Sequence, residues 1–343
     1  MNADPTELSV RTLLARTKAL VNPALRAAVE RLEDSRMRAI AGYHFGWLDA
    51  DGRPAQGEGG KAIRPALAIL SAEAAGGRST DGIAAAVAVE LVHNFSLLHD
   101  DIMDGDAERR HRPTGWVVFG AGQAILAGSA LLTAAVDELV RDGQGGQRSL
   151  PCLLEAVQQL ISGQSADLAL ESRPSVNLEQ VLGMEAGKTA SLLACSASIG
   201  AIAVGAPAEV CTALAGYGHE LGMAFQLVDD ILGIAGDAAA TGKSASSDVR
   251  AGKRSAPIVA ALGSEGDAAE QLGRLLAGGP PATEEDVTLA IKLIDEAGGL
   301  DWAAQEADRR LTAALGHLES AQLASDTSAD FTALARFVVE RDR

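Results

Sequence analysis

Aromatic residues are scarce: Phe, Tyr and Trp together make up 3% of a 343-residue chain whose hydrophobic share is 47%. A core built without them rests on Ala, Leu, Val and Ile. That composition suits close-packed helices better than sheets rich in Val, Tyr, Phe and Thr. Cysteine is nearly as rare. Cys152, Cys195 and Cys211 show no CxxC spacing, which excludes a disulfide framework or zinc site and reads as buried free thiols in a reducing compartment. Positive charge is in deficit, with 29 Lys and Arg against 46 Asp and Glu and a net charge of −17. Such a surface repels a polyanion and argues against general nucleic-acid binding. The first residues, MNADPTELSVRTLLART, contain no unbroken apolar stretch, so no signal peptide is expected. No run of 18 or more apolar residues escapes polar interruption, so no transmembrane segment is expected. A cytoplasmic protein is the reading. Alternating strand patterns are lacking as well.

Helical spacing fills the chain instead. Apolar residues recur at intervals of three and four over Glu7–Ser35 (with a break expected near Pro23), Ile83–Asp101, Gln123–Arg141 and Leu153–Leu170. They do so again over Leu178–Val204, Ala208–Leu232 and Thr283–Leu318. Gly, Pro and polar residues mark the breaks, and none of these resembles a long linker. The expectation is all-α: one large helical bundle over residues 1–343, with roughly a dozen helices.

Against the acidic background two clusters stand out. In HDDIMDGDAERRHRPT, Asp100 and Asp104 are four apart and share a helix face, with Asp101 beside them. In FQLVDDILGIAGD, Asp229 and Asp230 close a second apolar helix; the i+4 position is Gly233, and the next acid on that face is Asp237. Carboxylates gathered this way repel one another unless cations intervene, and oxygen-only ligands suit Mg²⁺ together with phosphates. An opposed pair of such clusters could hold one diphosphate and stabilise the charge that develops as it departs. A solvated helix end is the alternative for either cluster alone.

The local cations are informative by contrast. Arg109, Arg110 and Arg112 follow the first cluster, and Lys61 and Arg64 sit upstream in GGKAIRP, which lacks the P-loop pattern. His93 lies two helical turns before Asp100, able to reach a phosphate or to serve as an ordinary structural histidine. Between Ser149 and Gly242 ten acids face only two basic residues, Arg173 and Lys188. Thr189 adjoins Lys188, and Lys243 and Lys253 occupy a glycine-containing segment that could close over a site.

In order, GGKAIRP, HDDIMDGDAERRHRPT, GQSAD, GKTA, FQLVDD and GKSASSD resemble the trans-type isoprenyl diphosphate synthases, the polyprenyl synthetase family, with a motif core from about residue 59 to 257. The resemblance implies an isoprenoid-synthase helical bundle with a central apolar cavity, a homodimer, and Mg²⁺-dependent condensation of an allylic diphosphate with isopentenyl diphosphate. By the same resemblance Asp100, Asp101, Asp104 and Asp229 are metal ligands, with three Mg²⁺ ions when substrate is bound, and Asp230 completes the second motif. Lys61, Arg64, His93 and Arg110 match positions holding isopentenyl diphosphate. Arg109, Lys188, Thr189, Gln226, Lys243 and Lys253 match positions around the allylic diphosphate. Gln164 and Asp167 match the family's GQxxD. The implied catalytic set is Asp100, Asp101, Asp104, Arg109, Lys188, Asp229 and Asp230.

Four departures from the family pattern are visible. Gly233 stands where a third aspartate is usual, and His111 where glycine is usual. Ser129 replaces an aspartate, and Ser244–Ser247 replaces a stretch that commonly carries glycine. Phe95 and Ser96, five and four positions before Asp100 and one helical turn deeper, would set the floor for the growing chain. They favour geranylgeranyl diphosphate first and farnesyl diphosphate second; Phe95 as plain core is the other reading. A terpene cyclase on the same fold and a weakly active subunit of a heteromeric synthase are the rival functions.

Overall fold

The computed structural model describes residues 5–55, 57, 60–171, 173, 175–236 and 246–339, with side chains from residue 8 onward. Gly59, Asp237, Lys243 and Ser244 lie outside the described residues. The chain forms two compact bodies: Met1–Val157 with Cys195–Ala215 and Leu318–Leu334, and Gln158–Ala194 with Gly216–His317 and Ala335–Arg343.

The first body holds α1 (Pro5–Glu30), α2 (Ser35–His44), α3 (Ile63–Ala74), α4 (Ile83–Met103), α5 (Gly115–Phe119) and α6 (Ala121–Arg141). The break expected at Pro23 does not occur: α1 runs through it, with the ring on the exposed side. The chain turns only after Glu30, and Asp34 caps α2 by accepting from the Arg36 and Met37 amides at 2.7 and 3.1 Å. Helix α4 packs along α3 and α6, and its Val87, Ala88, Leu91 and Val92 are fully buried. Two of its three buried polar side chains, Asn94 and Ser96, are satisfied locally. Asn94 Nδ2 donates to the Glu90 carbonyl at 2.8 Å, and Ser96 Oγ to the His93 carbonyl at 2.8 Å.

One hairpin interrupts the helices. Strand β1 (Glu108–Arg109) pairs antiparallel with β2 (Arg112–Pro113), in register Arg109 with Arg112. Two residues per strand are too few to show alternation, so periodicity could not reveal them. Arg110 and His111 form the turn with φ of 52° and 58°, the left-handed pair that a two-residue hairpin connection demands.

The remaining helices are α7 (Gln144–Glu171), α8 (Leu178–Glu185), α9 (Ser191–Val204), α10 (Ala208–Ala235), α11 (Ser247–Ala251), α12 (Ala256–Leu262), α13 (Asp267–Leu276), α14 (Glu284–Glu296), α15 (Gly299–Ala321) and α16 (Ser325–Val339). In the second body Ile234, Val249, Ile258, Leu272, Val287, Leu293 and Ile294 gather into one core cluster. Two long helices expected from periodicity are divided. Leu178–Val204 carries a π-helical turn at Ala186–Ala190, and Thr283–Leu318 breaks at Gly298, whose φ of 79° fits a helix-ending glycine. By length and hydropathy alone, residues Ser79–Met103, Ala121–Arg141 and Leu178–Val204 could each cross a membrane. In the first and third, 72% of the apolar window is buried within the fold, and in the second 39%.

Candidate active site

In the first body the site begins at the C-terminal end of α4. The Asp104 amide donates to the Asp100 carbonyl at 2.8 Å, so the last turn closes and the two carboxylates share one face, as their spacing predicts. Asp101 points inward and is 1% exposed. Its Oδ1 accepts from both Nε and Nη2 of Arg109 at 2.7 Å, while its Oδ2 is buried with no hydrogen-bond partner among the described residues. Burial raises the pKa of Asp101 and the Arg109 guanidinium counteracts it. A buried carboxylate oxygen without a donor fits a cation ligand. Among the described residues no three Asp, Glu, His or Cys side chains converge closely enough to hold an ion unaided. A metal at this helix end would therefore need further oxygens, such as those of a phosphate.

The cations nearby take three different roles. Arg109 is engaged by Asp101. Arg112 donates to the carbonyls of Tyr43 at 3.3 Å and Leu48 at 3.0 Å, and its guanidinium lies 4.4 Å from the Tyr43 ring centre. It is a structural staple, not a ligand-facing cation. Arg110 makes no ion pair among the described residues, and its Nη2 lies 3.1 Å from where a Cβ on Gly60 would be. Although the residue as a whole is exposed, loss of solvent around its guanidinium and then repulsion from Arg109 lower its pKa. Lys61 is exposed, directly before a left-handed Ala62 at φ 59°.

Arg64 Nη1 is 3.5 Å from His93 Nε2. Burial first, then the positive field of Arg64 and Arg110, pushes His93 well below its usual pKa. His44 behaves alike: burial, with Arg109 and Arg110, lowers it to about 3. Both imidazoles are thus neutral hydrogen-bonding groups among arginines. His44 escaped the sequence reading because AGYHFGW lies outside every motif. Glu90 escaped it too; burial raises its pKa against the pull of Arg64, and Asn94 Nδ2 donates to its Oε1 at 3.1 Å.

Phe95, 7% exposed, meets the His99 ring edge-on at 4.8 Å. His99 Nε2 lies 3.0 Å from the Ile125 carbonyl on α6. Ser96 is buried beside it.

The second body carries a polar network around α10. Asp230 Oδ1 accepts from Gln226 Nε2 at 2.7 Å and Oδ2 from the Ala256 amide at 3.1 Å. Thr189 Oγ1 donates to Gln226 Oε1 at 2.7 Å, and Lys188 Nζ pairs with Asp167. The π turn brings Lys188 and Thr189 into this network. Gly163 on α7 allows it, because a side chain there would overlap the Lys188 backbone. Gln164 is 6% exposed, with neither amide atom partnered among the described residues.

Glu185, unnoticed in the sequence, is 2% exposed and hydrogen-bonded to Asp230. Burial and the neighbouring carboxylates raise its pKa well above the usual carboxylate range. Burial, then repulsion from Asp248, raises Asp230 to about 7. The missing third aspartate of this motif has a structural counterpart. A Cβ added to Gly233 would lie 2.5 Å from Asp248 Oδ2, so the Asp248 carboxylate fills the space that glycine vacates. Asp229 and Lys253 are half-buried. Ser246 holds a left-handed φ of 63° at the start of α11.

A helical chain in which the acidic end of α4 shares one body with an arginine outside any ion pair and a neutral histidine, and in which a second acidic helix end closes α10, has the architecture of the isoprenoid synthases, the class that handles prenyl diphosphates. Residues 47–294 match the polyprenyl synthetase family. Among curated proteins, a (2E,6E)-farnesyl diphosphate synthase of Mycobacterium tuberculosis is 42% identical, covering 98% of this chain and 96% of the relative. A geranylgeranyl diphosphate synthase of the same species is 41% identical, covering 98% and 95%. Among solved structures, the polyprenyl synthetase from Streptomyces coelicolor superposes with a TM-score of 0.93 at 50% identity, covering 96% of this chain and 99% of that one. The chain belongs to the polyprenyl synthetase family of metal-dependent trans-prenyltransferases.

Proposed function

We propose that this chain joins an allylic diphosphate to isopentenyl diphosphate and releases a linear prenyl diphosphate of medium length, geranylgeranyl diphosphate first and farnesyl diphosphate second. The observation that carries the reading is the set of groups on and around α4: the orphaned Asp101 oxygen, Asp100 and Asp104 one turn apart, and Arg64, His93 and Arg110 in the same body. Lys61, Arg64, His93 and Arg110, with His44 added, would hold the diphosphate of isopentenyl diphosphate. Neutral histidines there donate or accept hydrogen bonds without adding to the repulsion among the arginines. Arg109, Lys188, Thr189, Gln226 and Lys253 would serve the allylic diphosphate.

Asp100, Asp101, Asp104 and Asp229 would hold Mg²⁺, in three ions with substrate bound, and Asp248 would supply the carboxylate absent at Gly233. Bound Mg²⁺ neutralises a leaving diphosphate and so favours its departure. Glu185 would hold Asp230 in place through their hydrogen bond. The double bond of isopentenyl diphosphate then attacks the allylic cation, and the proton lost leaves with the departing diphosphate. No protein base is required.

We further propose a cytoplasmic homodimer. Its support is the apolar side of α6, where Ile125, Leu126 and Val140 are 45%, 55% and 58% exposed.

Incubating the purified protein with allylic diphosphates, isopentenyl diphosphate and Mg²⁺ and identifying the products tests the reading. Linear prenyl diphosphate is expected, with Asp100→Asn lowering turnover roughly 10²-fold or more. Cyclic hydrocarbon, or no product at all, would refute it.

A further inference from the structure

Two of the three thiols meet. Cys152 on α7 and Cys195 on α9, 43 residues apart in sequence, place their sulfur atoms 3.6 Å from each other. Ser198 Oγ lies 3.9 Å from Cys152 Sγ. The surrounding helices hold this meeting in place, since Ser149 Oγ donates to the Ile199 carbonyl at 3.3 Å and Arg148 Nε to the Ala203 carbonyl at 3.2 Å. The two thiols are chemically unequal. Cys152 is half-buried and therefore reachable, whereas Cys195 is 3% exposed. Hydrogen bonds from Cys195 and Ser198 favour the thiolate at Cys152, while Cys195 is held protonated by that same bond and by burial. Cys211, also half-buried, has its thiol pushed up by burial.

We infer that Cys152 and Cys195 form an oxidisable pair, in which Cys152 reacts with a hydroperoxide and Cys195 resolves the product to a disulfide linking α7 to α9. The Cys152 thiolate attacks the peroxide oxygen, giving Cys152 sulfenic acid and releasing hydroxide, or in the case of an alkyl hydroperoxide an alkoxide that takes a proton from water to give the alcohol. Cys195 sulfur then attacks the sulfenic sulfur, and the sulfenic oxygen leaves as water with the Cys195 proton. Two thiols are oxidised, and one peroxide is reduced to two hydroxylic products. Neither residue belongs to the proposed catalytic set, so the reaction is separate from prenyl transfer. The freedom of the thiols expected from the sequence holds in the reduced protein. Their uniform burial does not, because Cys152 and Cys211 are only half-buried.

The test treats the full-length reduced protein with graded hydrogen peroxide and maps the cysteines by mass spectrometry under non-reducing conditions. Expected are a loss of two hydrogens, a peptide pair joined through Cys152 and Cys195, and a free Cys211. In Cys195→Ser, dimedone should trap a sulfenic acid at Cys152. In Cys152→Ser, at the same dose, Cys195 should remain a thiol. Thiol loss at Cys211 first, an adduct at Cys195 in Cys152→Ser, or no linkage in the wild type each overturns the assignment.

Discussion

At the scale of single residues, the positions where this chain departs from its family pattern are those the structure explains best. His111 stands where glycine is usual and Ser246 within the stretch that commonly carries one, and both hold the left-handed backbone that glycine adopts without strain, at φ 58° and 63°. His111→Gly and Ser246→Gly should each raise stability by about 0.5–1 kcal/mol, read as a higher urea midpoint at unchanged slope. An equal or lower midpoint would show that the side chain makes compensating contacts. Gly233 is a third case. If Asp248 supplies the carboxylate that Gly233 lacks, Asp248→Ala should weaken Mg²⁺–diphosphate binding by roughly 10-fold in calorimetry. Adding Gly233→Asp to that variant should recover part of the loss. His44 yields a pH prediction. With its folded pKa near 3 against a usual 6.5, the unfolded chain binds more protons between those values. Stability therefore rises with pH across that window and is lost as pH falls through it. His44→Asn should flatten this dependence, visible as a smaller drop in urea midpoint between pH 7 and pH 5. The sequence alone could mark the departures at 111, 233 and 244–247 but not their meaning, because the sign of φ and the occupant of an empty corner are tertiary facts. His44, Glu90 and Glu185 were illegible for a related reason. Each is a lone polar residue whose importance comes from neighbours distant in the chain.

At the scale of elements, helices were legible wherever apolar spacing was long and regular, and their internal interruptions were not. The last turn of α4 could be anticipated from the Asp100–Asp104 spacing and the glycine that follows. The π turn at Ala186–Ala190 inserts an extra residue without altering local composition, so no periodicity test reports it. It nevertheless decides where Lys188 and Thr189 point. The hairpin after α4 was equally hidden, since its turn residues, Arg110 and His111, are not the usual Asn and Gly. Helix α4 makes its own prediction. Phe95 meets His99 one turn further along the same helix, and His99 in turn reaches the Ile125 carbonyl on α6. Phe95→Ala opens a void about one turn below the first aspartates, and the product distribution should shift to longer prenyl chains in a mass-spectrometric assay. Unchanged lengths together with a lower unfolding temperature would make Phe95 plain core.

At the scale of the whole molecule, the low aromatic content and the dominance of Ala, Leu, Val and Ile pointed correctly to an all-helical architecture. The boundaries of the two bodies fall inside helices such as α7 and α15, and nothing in local composition marks such places. Composition was also silent on which apolar helix sides are covered internally. Helix α4 and α6 look alike in hydropathy, yet α6 leaves Ile125, Leu126 and Val140 exposed. If that side joins a second copy, light scattering should give twice the chain mass. Leu126→Asp with Ile125→Asp should then give the single-chain mass with helicity retained. A wild-type monomer would refute the dimer, and a variant that stays dimeric would place the partner surface elsewhere.

The tight turn between Glu108 and Pro113 also divides the work of two identical side chains in a molecule rich in acids. Arg109 is the last residue of its strand and pairs with Asp101, whereas Arg110 opens the turn at a left-handed φ of 52° and lies beside Gly60. One arginine is thereby spent on an internal carboxylate, and the next keeps its charge available for a visitor. A single inserted residue would change which arginine ends the strand and which opens the turn. The length of this loop is thus under tighter constraint than its amino-acid identities, as the tolerated histidine at 111 already indicates.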